Sequence, residues 1–535
     1  MNPLQNDDVE TTLADLNQGD IVGRIWSKDY TVWEPDPSEI INRMGWLTIT
    51  DLMNEQATSI KSFANEIRDS GFNHIVLLGM GGSSLGPEVL RETFGSAPGY
   101  PELIVLDSMV PDWIQAVADT IDPARTLFLV SSKSGTTTEP IVLFYYFKGL
   151  VESAVGKGKS GKSFVAITDP GTPLTQLAEE EGFRRTFLNP PDIGGRYSVL
   201  SYFGLIPAAL VGIDLKLILD KADCMREACA FGVPAHENPC ACLGASVGAL
   251  ALLGRDKLTL VTSPAISSFG LWVEQLVAES TGKEGKGIIP VIGEPMVAPH
   301  YYGGDRLFIY LRLDGDDNSA IDAAIDHIKS SGQPVIVLEL QDKYDLGREF
   351  FRWEFATAIA GAILGIHPFN QPNVQQAKDT TNHELYEYTV SGRLLQVQTT
   401  DSIAGLLASA RSGNYLAIMA YCRQTPEMDE ELMELRRKVL ERHCIATTLG
   451  YGPRFLHSTG QLHKGGPGTG LFFQITTNYK KDLPIPGRPY TFGVVADAQA
   501  IGDLQALQDS GRRVARVHLD KDKPEEISKL VAELT

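Results

Sequence analysis

From Gly71 onward, short apolar runs alternate with amphipathic stretches along the chain. HIVLLGM (74–80), ELIVLDS (102–108), LFLVSS (127–132), SFVAITD (163–169) and RTFLN (185–189) read as strands. PEVLRETFG, DWIQAVADTI, PIVLFYYFKGLVESA and PLTQLAEEEG, between them, read as helices. Apolar runs without alternation mark strands covered on both faces, and strands alternating with helices over short connections predict a doubly wound parallel sheet. The pattern then resets. Residues 199–233 and 240–254 are helical, LTLVTS (258–263) is a strand, and a helix follows at 267–280. RLFIYLRL (306–313) and PVIVLEL (334–340) flank another helix, and a long helix closes the unit near Lys378. Two such units in tandem point to duplication of one α/β module.

The polar span Asp379–Asn414 holds no long periodic element and reads as a linker. Beyond it, YLAIMAYC (415–422), IATTLG (445–450), LFFQITT (471–477) and RRVARVHL (512–519) are strands, with helices after the first and the third. That order, βαββαβ, matches the ferredoxin-like plan and predicts a C-terminal α+β domain. Residues 1–50 are polar with scattered aromatics and read as an N-terminal arm. The expected organisation is therefore 1–50 arm, 51–225 first α/β domain, 226–389 second α/β domain, and 390–535 linker and C-terminal domain.

A length of 535 residues exceeds a single core and fits several domains. Apolar content of 43% and charged content of 21% are those of a globular protein rather than a disordered one. A net charge of −20 argues against a nucleic-acid binder, and it requires any anionic ligand to be met by local cations. The six cysteines form no CxxC pair, so reduced thiols and no metal site are expected. No basic region precedes an apolar one at the N-terminus and no apolar stretch is long enough to span a bilayer. The expectation is a cytoplasmic protein without signal peptide or membrane partner.

Candidate chemistry gathers in loops. Ser131–Thr138 is a run of serines and threonines with Lys133, between a buried strand and a helix opening at Glu139 and Pro140. Capping a helix needs one or two hydroxyls. This run offers Ser132, Ser134 and Thr137 as donors, Lys133 as a cation and a helix N-terminus, which together suit a phosphate dianion. GMGGSSLGP (79–87) also joins a strand to a helix. Gly79 and Gly81 with Asp107 fit a dinucleotide fingerprint, but Ser84 stands where its third glycine belongs. The doubled Gly81–Gly82 before Ser83 fits a loop around a small polar ligand. GGRYSVLS (194–201) presents Arg196 after two glycines. AESTGKEGKG (278–287) places Glu279 near a helix C-terminus, where the dipole favours a proton-transferring carboxyl. HPFNQPNVQQAK (367–378) carries Gln371 and Lys378. FLHSTGQLHKGGPGTG (455–470), with His457, His463 and Lys464, is long for a simple connection and is a candidate to reach another domain or an anion.

Taken in order, these motifs resemble the glucose-6-phosphate isomerase (phosphoglucose isomerase) family, and most nearly the isomerase half of bacterial transaldolase–phosphoglucose isomerase fusion proteins. The family's GxGGSxLGP, SK[ST]xTT, GGRYS, ESxGK and FxQPxVxxxK patterns are matched at Gly82–Ser83, Ser132–Thr137, Arg196, Glu279–Lys283 and Gln371–Lys378. No transaldolase barrel is expected, since too little precedes residue 50. The resemblance implies two sugar-isomerase (SIS) domains with parallel sheets, a homodimer, a sugar-phosphate substrate, and no cofactor or metal. It implies interconversion of glucose 6-phosphate and fructose 6-phosphate through an enediol, in glycolysis and gluconeogenesis. Glu279 would move the proton between C2 and C1, and Arg196 would stabilise the enediolate. Lys378 and His300 would open the sugar ring, His300 following GEPMVAP at nearly the family spacing, with His327 the poorer choice. Gln371 would orient hydroxyls, Gly82 and Ser83 would line the sugar, and Ser132, Lys133, Ser134 and Thr137 would hold the phosphate. Two rivals are a non-catalytic SIS-type sugar-phosphate sensor and an isomerase also accepting mannose 6-phosphate. A nicotinamide-dependent dehydrogenase ranks below both. A sensor needs the phosphate loop but not Glu279 and Lys378 together.

Overall fold

The computed structural model describes residues 6–395, 397, 399, 401–520 and 523–533. The ends of the expected arm and C-terminal domain, residues 1–5 and 534–535, lie outside the described residues.

Thirteen strands among the described residues form three sheets, every ladder parallel. β1 (His74–Gly79), β2 (Glu102–Leu106), β3 (Thr126–Ser131), β4 (Phe164–Thr168) and β5 (Arg185–Leu188) pair in the order β2-β1-β3-β4-β5. β6 (Lys257–Thr262), β7 (Ile289–Ile292), β8 (Arg306–Leu313) and β9 (Val335–Leu340) pair as β7-β6-β8-β9. β10 (Tyr415–Tyr421), β11 (Ala446–Tyr451), β12 (Gly470–Thr477) and β13 (Arg513–Leu519) pair as β11-β10-β12-β13. The central strands β3 and β10 are buried along their whole length, as their unbroken apolar runs require. β7 has no counterpart among the strands read from sequence. It is short and holds Pro290, which a sheet accommodates at an edge.

In each sheet the chain goes out from the first strand to one side and returns to the other. The loops after strands one and three therefore lie side by side at a topological switch point, where open α/β sheets bind ligands. In the first sheet these are the loops after β1 and β3, the glycine-rich loop and the hydroxyl-rich loop.

The C-terminal unit is a third parallel α/β sheet and not the expected ferredoxin-like α+β domain. A ferredoxin-like plan needs a hairpin between its second and third strands. Here β11 and β12 are joined by a crossover holding the turn Arg454–His457 and the helix Gly460–Gly465, so β12 pairs parallel with β10. The span expected to be a linker also holds structure. A helix, Gln375–Ser391, lies against the helix Phe492–Asp509 of the third unit. Their approach is close at Gly502, where a Cβ would stand 2.6 Å from Thr381 Oγ1. Residues 6–50 form short helices on the body; Trp26 and Trp33 donate their indole N–H groups to Cys229 and Ala358 carbonyls at 2.6 and 2.8 Å.

Two polar seams fasten the third unit. Glu294 takes Arg306 at 2.8 Å within its own unit, and the Thr447 N–H at 2.7 Å across the seam. Arg436 donates to the Ile292 and Gly293 carbonyls, each at 2.9 Å. On the other side, Asp107 at the end of β2, fully buried, meets Arg454 at 2.8 Å. Between the seams, buried Glu274 faces Ser458. Burial pushes its carboxyl up to about 7 from an ordinary 4.5, more than Arg436, Ser458 and Arg454 draw it down. A carboxyl whose folded pKa is raised binds more protons when folded, so its contribution is lost as pH rises through that window. Wild-type protein should therefore lose stability between about pH 5 and pH 8 by a component that Glu274→Gln lacks. Thermal denaturation should give equal Tm near the lower pH and a higher Tm for the variant near the upper. A constant difference across the range would contradict a titrating Glu274.

Candidate active site

The glycine-rich loop is pressed against the arginine loop. A Cβ on Gly82 would sit 1.9 Å from the Gly195 carbonyl oxygen, so only glycine allows this approach. Ser83 is buried beside it. Asp107, which a dinucleotide fingerprint would present to a ribose, is instead consumed by Arg454 and by Ser84 Oγ at 3.0 Å.

The hydroxyl-rich loop caps nothing with its side chains. Thr137 stands at the N-cap of the helix Thr138–Val155, yet no side-chain cap bond forms, so the first-turn N–H groups stay available to an anion. Ser132 Oγ donates to Thr137 Oγ1 at 3.0 Å, and Ser134 and Thr136 hydroxyls lie 2.8 Å apart. Ser134, Thr136 and Thr137 line a cavity of about 350 Å³, together with Lys378 and His457. Lys133 departs from expectation. Its ammonium pairs with Asp169 and reaches the Pro191 carbonyl at 3.1 Å, and it lines no part of this cavity. Asp169, on the loop after the neighbouring strand β4, is the nearer anion and draws it away.

Glu279 lies in the last turn of the helix Phe269–Thr281, buried. Its Oε1 is 3.1 Å from Arg196 Nη1, and its Oε2 accepts from Gln275 Nε2 at 3.1 Å. Arg196, 4% exposed, also donates to Ser280 Oγ at 2.9 Å and to the Pro368 and Asn370 carbonyls at 2.6 and 3.0 Å. Every guanidinium nitrogen is thus occupied, and the arginine ties Glu279 to the 367–378 segment. Lys283 donates to the His367 carbonyl at 2.5 Å; burial, then the nearby Arg196 charge, hold its pKa well below the ordinary value. Gln371 is exposed on the segment fastened by Arg196. Lys378 follows in the first turn of the helix Gln375–Ser391 and reaches the cavity.

His300 is not brought to these residues. It sits exposed in the turn Pro299–Tyr301, its ring 4.1 Å from that of Tyr301. The preceding GEP segment is occupied in docking the third unit through Glu294, and His300 does not line the cavity. His327 is exposed on the helix Ser319–Ser330. The histidine that does line the cavity is His457, from the crossover of the third unit. Its Nε2 is 3.1 Å from Glu139 Oε1, which also accepts from Gln499 Nε2 at 2.7 Å. Burial pushes the Glu139 carboxyl up, but His457 and the hydrogen bonds outweigh it, and its pKa falls below the ordinary value. Of the other loop candidates, Lys464 lines the cavity but is paired with Asp503 at 2.5 Å. His463 is a core residue, packed on Phe455 and Phe472, and burial holds its pKa well below the ordinary value.

Residues 42–288 match the family described as phosphoglucose isomerase. A glucose-6-phosphate isomerase of Staphylococcus saprophyticus is 32% identical over 380 residues, 63% of this chain and 85% of that protein. The chain belongs to the phosphoglucose isomerase family. A glucose-6-phosphate isomerase of Symbiobacterium thermophilum is 30% identical over 383 residues, again covering 85% of the relative. Among solved structures, a hypothetical protein from Thermus thermophilus superposes with a TM-score of 0.61 at 24% identity, over 72% of this chain and all of that one. A glucose-6-phosphate isomerase from Chlamydia trachomatis superposes with a TM-score of 0.54 at 20% identity, over 73% of this chain and 81% of that one. These two share the α/β fold. Among the described residues no helix is long and apolar enough to cross a membrane.

If Ser134 and Thr137 hold a phosphate remote from the reacting carbons, each alanine variant should raise KM for a phosphosugar by about ten-fold or more and change kcat less, since each charge-assisted bond contributes roughly 1.5–3 kcal/mol. Steady-state kinetics on both variants decides this; an unchanged KM in both would remove the loop from phosphate binding.

Proposed function

We propose that the cavity lined by the hydroxyl-rich loop, the start of the helix Gln375–Ser391 and His457 is where this chain interconverts glucose 6-phosphate and fructose 6-phosphate. Family membership carries the activity, and the observation that carries the site is the buried Arg196–Glu279 pair at 3.1 Å, linked through Gln275 to His457, which lines the cavity at an anion-ready helix N-terminus. In this reading Ser134, Thr137 and the first-turn N–H groups hold the phosphate, and Ser132 braces Thr137. Gly82 and Ser83 face the sugar. Glu279 takes the proton from C2 and returns it to C1. Arg196 is a fixed positive charge for the enediolate that forms between those steps, in surroundings that exclude water. Gln371 orients hydroxyls from the segment that Arg196 fastens, and Lys378 gives and takes a proton at the sugar ring. The proton removed is returned to the neighbouring carbon, so the reaction is redox-neutral overall and these groups suffice. A sugar-phosphate sensor would have no use for a buried base held by an arginine, which favours the enzyme.

The test is a coupled assay with fructose 6-phosphate, reading NADP reduction by added glucose-6-phosphate dehydrogenase. Glu279→Gln should keep phosphate binding while kcat falls at least about 10²-fold, because an amide of the same shape cannot accept the proton. Near wild-type turnover in that variant would remove Glu279 from the mechanism.

A further inference from the structure

A cyclic sugar must open before C2 can be deprotonated. Opening needs one group to take the proton from the C1 hydroxyl and another to give one to the ring oxygen. His457 shares the cavity wall with Lys378, Ser134 and Thr137, its side chain 19% exposed. Its backbone carbonyl accepts from Gln275 Nε2 at 2.9 Å, and that nitrogen also donates to Glu279 Oε2 at 3.1 Å. One side-chain amide thus spaces the histidine from the base. Behind the ring, Glu139 is 4% exposed and bonded to both His457 and Gln499. A carboxylate can only accept, so the neutral ring carries its proton on Nε2 and keeps its lone pair on Nδ1. No described residue hydrogen-bonds Nδ1. A buried carboxylate that sets the tautomer and balances the imidazolium is the arrangement of an activated base.

Resting on the isomerase reading above, the geometry points to His457 as the ring-opening base of this enzyme, supplied by the C-terminal unit, with Glu139 and Gln499 as positioning residues and Lys378 as the acid. With glucose 6-phosphate, Nδ1 takes the C1 hydroxyl proton. The bond from C1 to the ring oxygen breaks as the C1 carbonyl forms, and the Lys378 ammonium gives the ring oxygen a proton. Protons and charge balance, and ring closure runs the same steps backwards.

Opening and reclosing without touching C2 exchanges the α and β anomers, so ring opening can be measured apart from isomerisation. Anomer exchange of glucose 6-phosphate is followed by NMR in Glu279→Gln protein, with inorganic phosphate binding by calorimetry as the check that the fold and the loop are intact. Glu279→Gln should exchange anomers well above the uncatalysed rate while failing to isomerise. Adding His457→Gln, whose amide can still donate to Glu139, should cut that exchange at least about ten-fold with phosphate binding retained. Glu139→Gln in the same background should lower kcat for exchange and leave KM unchanged, a split that general loosening of the fold would not produce. Equal exchange with and without His457→Gln would overturn the assignment while leaving Glu279 in place. Isomerisation surviving Glu279→Gln would instead overturn the reading on which it rests.

Discussion

Asp107, directly after β2, lies inside the protein with no exposure to solvent. A carboxylate in that position is tolerable only with a cation against it, and the cation comes from the far end of the chain, Arg454, itself stacked 5.4 Å over Trp113. Removing one partner of such a pair typically costs about 3–5 kcal/mol, because the other charge is left buried and alone. The first sheet and the third unit are therefore a single electrostatic object at this point. The glycine-rich loop is fixed through Ser84 on the same carboxylate, and the crossover that begins at Arg454 is delivered to the cavity three residues later, at His457.

The second seam has a related logic. Glu294 lies in the segment expected to present a catalytic histidine, and it is held by Arg306 and Thr447. The segment is thus part of a joint between units rather than part of the cavity wall. The helix Gln375–Ser391, which carries Lys378, rests on the helix Phe492–Asp509, which carries Gln499. Two groups that line the cavity, Lys378 and Glu139, are positioned by contacts to the third unit, which itself supplies His457. In a chain of net charge −20, the proposed phosphate site relies on oriented N–H groups, hydroxyls and few cations, with Lys133 paired to Asp169 outside the cavity.

Much of this was legible in the sequence because it is local. The loop after a buried strand, the glycines that admit Arg196 and the carboxylate at a helix end each announce themselves within about ten residues. What was not legible is what depends on which distant partner arrives. Lys133 reads as a phosphate ligand until Asp169 is seen beside it. The third unit reads as α+β because a glycine-rich crossover looks like a turn, and the difference between a hairpin and a crossover decides parallel from antiparallel. The helix Gln375–Ser391 is polar on most of its surface and shows little apolar periodicity, since its buried side is made by Ala377, Glu384 and Leu385. His457 carries a weak local signal, a histidine in a long loop, and its meaning lies in Glu139, 318 residues earlier.

The hydrogen bond from Gln499 to Glu139 closes a loop of 360 residues. Contacts of such separation form late, after the segments between them have collapsed. During synthesis Ser134, Thr137, Arg196 and Glu279 all leave the ribosome before the third unit exists, so on the proposed assignment a partly made chain has its phosphate-binding groups but not His457. With His457 as the proposed ring-opening base, turnover would report on the integrity of the third unit. On that assignment, a nick or a local unfolding near residue 414 would silence turnover while leaving Ser134, Thr137 and Arg196 in place.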